Sequence, residues 1–120
     1  SRDFVIALLS EVTTDTGAAL HLPMIDFRCD RSASNLRMVV GICSRVFRGH
    51  VAIFGSGHSY HACGLVLVEV SELLDLLARS LLFNPIVDRA YVAHQIIERR
   101  CCLRISRKED LGPPRLVELI

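Results

Sequence analysis

Two apolar runs, 51–54 and 62–68, are joined by Gly55-Ser56-Gly57-His58-Ser59-Tyr60-His61. Apolar segments this short, bounded by a glycine-jointed polar stretch, fold most economically as the two strands of a β-hairpin. Glycine lets backbone approach a ligand closely, and successive amides can form an anion-binding concavity. Two serines and two histidines therefore arrive together at a sheet edge. On its own the stretch is equally a hairpin whose loop happens to be polar.

The rest of the chain is read around that hairpin. Residues 4–12 are apolar almost throughout and fit a buried strand or a short helix, which periodicity does not separate. Residues 18–26 read as a strand, with Pro23 marking its true start or an edge. If the strand runs on to residue 30, Asp26, Arg28 and Asp30 share one face and Phe27 and Cys29 the other. Ser32 or Ser34 then caps a helix whose stripe is Leu36, Val39, Val40, Cys43 and Phe47, with Gly49 as its stop. A second helix starts at Ser71, with Glu72 and Asp75 favourable to its dipole, and ends at Asn84-Pro85. A third spans 89–99, placing Tyr91, His94 and Gln95 on one side. Strands at 102–106 and 115–120 close the chain around a charged loop. The expected fold is mixed α/β (α+β), an open sheet of mixed strands covered by helices, in one domain spanning 1–120.

Composition narrows the function classes. Net charge is +1, so bulk charge points to neither nucleic acid nor a membrane surface, and no apolar run is long enough to span a bilayer. Lys108 is the sole lysine among 14 cationic residues, a bias toward arginine that suits phosphate contacts but is better accounted for by a GC-rich coding sequence. Five cysteines without framework spacing read as reduced thiols of a cytoplasmic protein. A chain from Ser1 to an apolar Leu119-Ile120 reads as a segment of something longer, which leaves room for a protein partner.

Three acids or turns stand where chemistry would sit: Asp26, the Ser59-Tyr60-His61 turn and Asp88. Two carboxylates at strand ends can bind a hard divalent cation through oxygen, and the cation then holds phosphates. A serine and a histidine beside them would grip a triphosphate, as phosphoryl or nucleotidyl transfer requires. Competing constellations fare worse. His58-x-x-His61-x-Cys63 lacks an obvious fourth zinc ligand, and Gly57-His58-Ser59-Tyr60-His61 lacks the last glycine of a hydrolase elbow. His21 and His50 read as structural, and His94 as either surface or site.

The succession Ile25-Asp26-Phe27, Ser59-Tyr60-His61 and Val87-Asp88 resembles the three motifs of the archaeo-eukaryotic primase superfamily. The longer stretches 21–27, 56–61, 88–94 and 103–106 are similar to a bacterial primase-like branch, so the resemblance runs from about residue 18 onward. It implies an RRM-like sheet core and template-directed or primer-forming nucleotidyl transfer on a DNA or RNA strand. By the same resemblance Asp26 and Asp88 hold Mg²⁺ or Mn²⁺, and His61 with Ser59 contacts the nucleoside triphosphate. Arg104, and His94 less directly, would add phosphate or nucleic-acid contacts. Active members carry a second acid two residues after the first; that position is Arg28, and Asp30 is the available substitute. The alternatives are a catalytically silent relative that binds nucleotide or nucleic acid, and a protein-interaction module.

Overall fold

The computed structural model of the chain describes residues 7–104 and 113–120. In chain order its elements are β1 (Ala7–Leu9), β2 (Glu11–Thr13), β3 (Ala19–His21), β4 (Met24–Asp26) and α1 (Ala33–Val46). Then follow β5 (Val51–Ser56), β6 (Ser59–Gly64), α2 (Val70–Ser80), a 3-10 turn (Leu81–Phe83), α3 (Arg89–Glu98), β7 (Cys102–Arg104) and β8 (Arg115–Leu119). The expected hairpin is β5–β6, paired from Val51–Gly64 down to Ser56–Ser59 around a two-residue Gly57-His58 loop. Gly57 sits at φ 60°, the left-handed value a tight hairpin demands at its first loop position.

The hairpin is the middle of a four-stranded sheet ordered β4-β6-β5-β8, and β1–β7 and β2–β3 form two small ladders. Every pairing is antiparallel. Strand alternation divides the large sheet into two faces. One carries Ile25, Phe27, Val51, Ile53, Tyr60 and Ala62, all buried in the cluster that contains Val39, Cys43, Leu73 and Leu77 of α1 and α2. The other carries Met24, Asp26, Ser59, His61, Cys63, Ala52, Phe54 and Ser56. Helices on one side of an open sheet leave the second side available for chemistry.

Several expectations shift in detail. The strand expected over 18–26 breaks at Leu22-Pro23 into β3 and β4. The expected continuation to Asp30 fails: after Phe27, which bridges Val87, the chain bends at Cys29. Ser32 is the α1 cap, its hydroxyl accepting from Asn35 N at 3.1 Å. The buried stripe of α1 includes Ile42 and Val46, rotated from the expected one. Of the two alternatives for this segment, residues 7–9 take the strand, β1, but are exposed rather than buried. Next to it Ser10 is fully buried, accepting from Cys101 N at 2.8 Å and lying 2.9 Å from Nδ1 of buried His21. His21 thus has the structural role its position implied.

All five cysteines are free thiols. Burial pushes Cys43 up to about 12 and, as the main cause, Cys101 up to about 11. In the unfolded chain such thiols ionise near 9.0. Above that pH the unfolded state loses protons that the folded state keeps, so stability present below pH 9 falls as pH climbs toward 12. Each thiol contributes a slope of up to about 1.4 kcal/mol per pH unit in that window. Melting temperatures between about pH 8 and 11 should fall, and Cys43→Ala should flatten the decline.

Candidate functional site

The open face of the sheet is organised by one row of residues. Asp26 on β4 lies opposite His61 on β6, His61 lies opposite Phe54 on β5, and Phe54 lies opposite Leu116 on β8. On the far side of β4 the row continues, because the Phe27–Val87 bridge sets Asp88 directly opposite Asp26. Asp88 N donates to Asp26 O at 2.9 Å, and Arg28 N donates to Ile86 O at 2.7 Å. Asp88, Asp26 and His61, far apart in the chain, therefore occupy consecutive rungs.

Asp26 is half-buried at the mouth of a cleft of about 340 Å³. The hairpin loop forms one wall through Ser56, Gly57, His58 and Ser59, and Tyr91 of α3 faces them. His61 lies in the floor, only 5% exposed, with its ring 5.5 Å from that of Phe54 at a 54° tilt. Among the described residues lining this cleft there is no lysine or arginine, and Asp26 is the one carboxylate.

Asp88 has a second task. Its Oδ1 accepts from Ala90 N and Tyr91 N, both at 3.1 Å, making it the N-cap of α3. The cap orients the first turn of the helix and so delivers Tyr91 to the cleft. Tyr91 O–H donates to Met24 O at 3.4 Å. Burial, then the charges of Cys101 and Asp26, hold its phenol above the usual tyrosine range, so it remains a neutral donor. Tyr91 was legible as a helix-face residue; its place in the cleft depends on the Asp88 cap.

Ser59 is fully engaged with the backbone. Its hydroxyl donates to Phe27 O at 2.7 Å and accepts from Cys29 N at 3.1 Å. It clamps the segment leaving β4, and its proton is already committed. Two other expected members stand apart. Asp30 is exposed beyond the bend at Cys29, with Asn35 Nδ2 donating to its carbonyl at 2.7 Å, and it does not line the cleft. Its expected place on one strand face with Asp26 is corrected, because β4 ends at Asp26. Arg28 turns away into a separate depression with Asn84, Pro85, Val87 and Arg89. His94 is exposed on α3 and does not line the cleft. The backbone of Arg104 pairs with Ala7, while its side chain lies outside the described residues.

Arg31 shows how close the loop before α1 lies to the hairpin. Its guanidinium sits 5.9 Å from the Tyr60 ring centroid, and a Cβ on Gly55 would come within 2.6 Å of it. A side chain at position 55 would push the flexible end of Arg31 aside. Tyr60 O–H in turn donates to Ser32 O at 3.1 Å, so the tyrosine is a packing residue of the helix side.

Among the described residues, no three of His, Cys, Asp and Glu gather into a metal-binding group, and no helix is long and apolar enough to cross a membrane. No curated protein and no solved structure matches the chain. A family model does, over residues 1–114, and it describes archaeo-eukaryotic primase 1D-like domains. With nearly the whole sequence inside that match, the chain belongs to the archaeo-eukaryotic primase-like family.

Proposed function

We propose that the cleft binds a nucleoside triphosphate together with Mg²⁺ or Mn²⁺ and supports nucleotidyl transfer to a DNA or RNA strand. The observation that carries this reading is the run of Asp88, Asp26 and His61 across consecutive rungs. Mg²⁺ is commonly held by one or two carboxylates, with waters and substrate phosphates completing its shell. Asp26 offers one carboxylate in the cleft; Asp88, opposite it along the backbone but outside the cleft lining and with Oδ1 shared with the α3 cap, is the candidate for the second. When bound, the cation would supply positive charge against what develops on the phosphoryl oxygens.

The protein's own part is positioning. The His61 imidazole would donate to a phosphate oxygen from the floor, and the amides of the Gly57-His58 loop would add neutral donors. Ser59 acts at one remove, by bracing the Phe27–Cys29 backbone that sets the Asp26 end of the cleft. Arg104 remains a candidate for a phosphate or strand contact. Asp30 would need the loop after β4 to rearrange before it could join the metal.

A second reading is a silent relative that binds nucleotide without transfer. It is favoured by the absence, among the described residues, of a third acid beside Asp26 and Asp88. Calorimetric titration of nucleoside triphosphate in Mn²⁺ and in EDTA, with labelled-nucleotide incorporation on a primed strand, separates the readings. Manganese-dependent binding with incorporation is the expected result. Binding without incorporation selects the silent relative. Absence of both, with self-association on gel filtration, selects an interaction module.

A further inference from the structure

The open face holds a second cavity that the phosphate reading leaves unused. It measures about 160 Å³ and is walled by Met24, Ala52, Phe54, Cys63, Leu65 and Leu103. His61 and Leu103 line both this cavity and the polar cleft, so the two chambers meet at one imidazole. Their characters are opposite: the cleft presents hydroxyls, loop amides and Asp26, whereas the neighbouring chamber presents aliphatic carbon, one aromatic ring and a thiol.

We propose that this apolar chamber seats the base of the nucleotide whose phosphates occupy the cleft; the proposal rests on the triphosphate reading above. A ligand spanning both chambers must carry a polyanionic end and a flat apolar end within a short reach. The size agrees, since a dry apolar cavity of roughly 150 Å³ takes one benzene-sized ring. Here one ring of the base would enter fully, and the second ring of a purine would protrude. The tilted pair of Phe54 and His61 provides a ring surface for it to stack on.

The same wall composition limits what the chamber can distinguish. Base identity is read by hydrogen bonds to ring edges, and a wall of methyl and methylene groups supplies none. Stacking on an aromatic face is tolerant, because every base has a π-surface. The seat would thus demand a base without choosing among the four, leaving choice to a template strand.

The test titrates four ribonucleoside triphosphates and inorganic tripolyphosphate into the protein in Mn²⁺. The triphosphates should agree within about threefold and bind roughly 10- to 100-fold more tightly than tripolyphosphate. Ala52→Leu and Cys63→Met fill the chamber from two different strands. Each should bring the nucleotides down to the tripolyphosphate level while leaving tripolyphosphate binding unchanged, which also shows that the cleft is intact. If wild-type protein binds tripolyphosphate as tightly as nucleotides, the base seat is wrong and the phosphate cleft stands. The seat is likewise wrong if both filled variants bind nucleotides normally, or lose tripolyphosphate equally. If neither ligand binds to wild-type protein, the phosphate reading fails and takes the base seat with it.

Discussion

Asp26→Asn is expected to lower manganese-dependent nucleotide incorporation by roughly a thousandfold, the several kcal/mol by which a metal-held charge stabilises a phosphoryl-transfer transition state. The substitution keeps the shape of the side chain and removes its charge. The backbone ladder is untouched, since Asp26 is in register with His61 and accepts from Asp88 N through its main-chain oxygen. Its melting temperature, read alongside, separates a loss of activity from a loss of fold. If the Asp26→Asn variant still incorporates nucleotide, the carboxylate has no part in the mechanism. Asp88 calls for a paired comparison, because it also caps α3. Asparagine caps a helix about as well as aspartate, whereas alanine costs about 1 kcal/mol of stability. Asp88→Asn should thus lose activity at unchanged stability, and Asp88→Ala should lose both. If Asp88→Asn retains activity, Asp88 is a cap and nothing more.

Ile53→Ala should give the reverse separation. Ile53 is fully buried on the helix side of β5, one residue from Phe54, which faces the cleft side. Truncation leaves a cavity in a close-packed core and costs about 2–5 kcal/mol. Denaturant midpoints should fall accordingly. Nucleotide affinity measured well below the new melting point should hold within about twofold, because alternation puts Ile53 and His61 on opposite faces. A loss of affinity as large as the loss of stability would show that the two faces are not independent, and the division of labour between them would be wrong.

The hairpin, the three helices and the open sheet were legible because each rests on local chemistry. Glycine fits the φ of residue 57, Ser32 caps α1, and the leucines of α2 recur at helical spacing. What was not legible depends on partners far away in the chain. Two-residue alternation put Asp30 beside Asp26 only while the strand was assumed to continue. The Phe27–Val87 bridge and the bend at Cys29 end it, and that bridge is set by a segment far downstream. Ser59 read as a phosphate ligand by its motif, yet its hydroxyl bonds the backbone of residues 27 and 29. Arg28 stood in the motif where active members carry a second acid, and the same bend carries it into another depression. Asp26, Asp88 and His61 could be chosen from the resemblance; that they share adjoining rungs required the register.

The pairing of β5 with β8 slips between Ile53 and Phe54, so that Leu116 faces Phe54, Glu118 faces Ile53 and Val117 is left over. A single inserted residue reverses the alternation of everything after it. Leu116 and Leu119, three apart, consequently lie on the same side as Phe54 and Ala52, more than half exposed. In β8 the pairing register therefore constrains the open face more tightly than composition does. A conservative exchange at either leucine changes little, whereas a one-residue slip of β8 against β5 swaps greasy for charged along that border of the sheet.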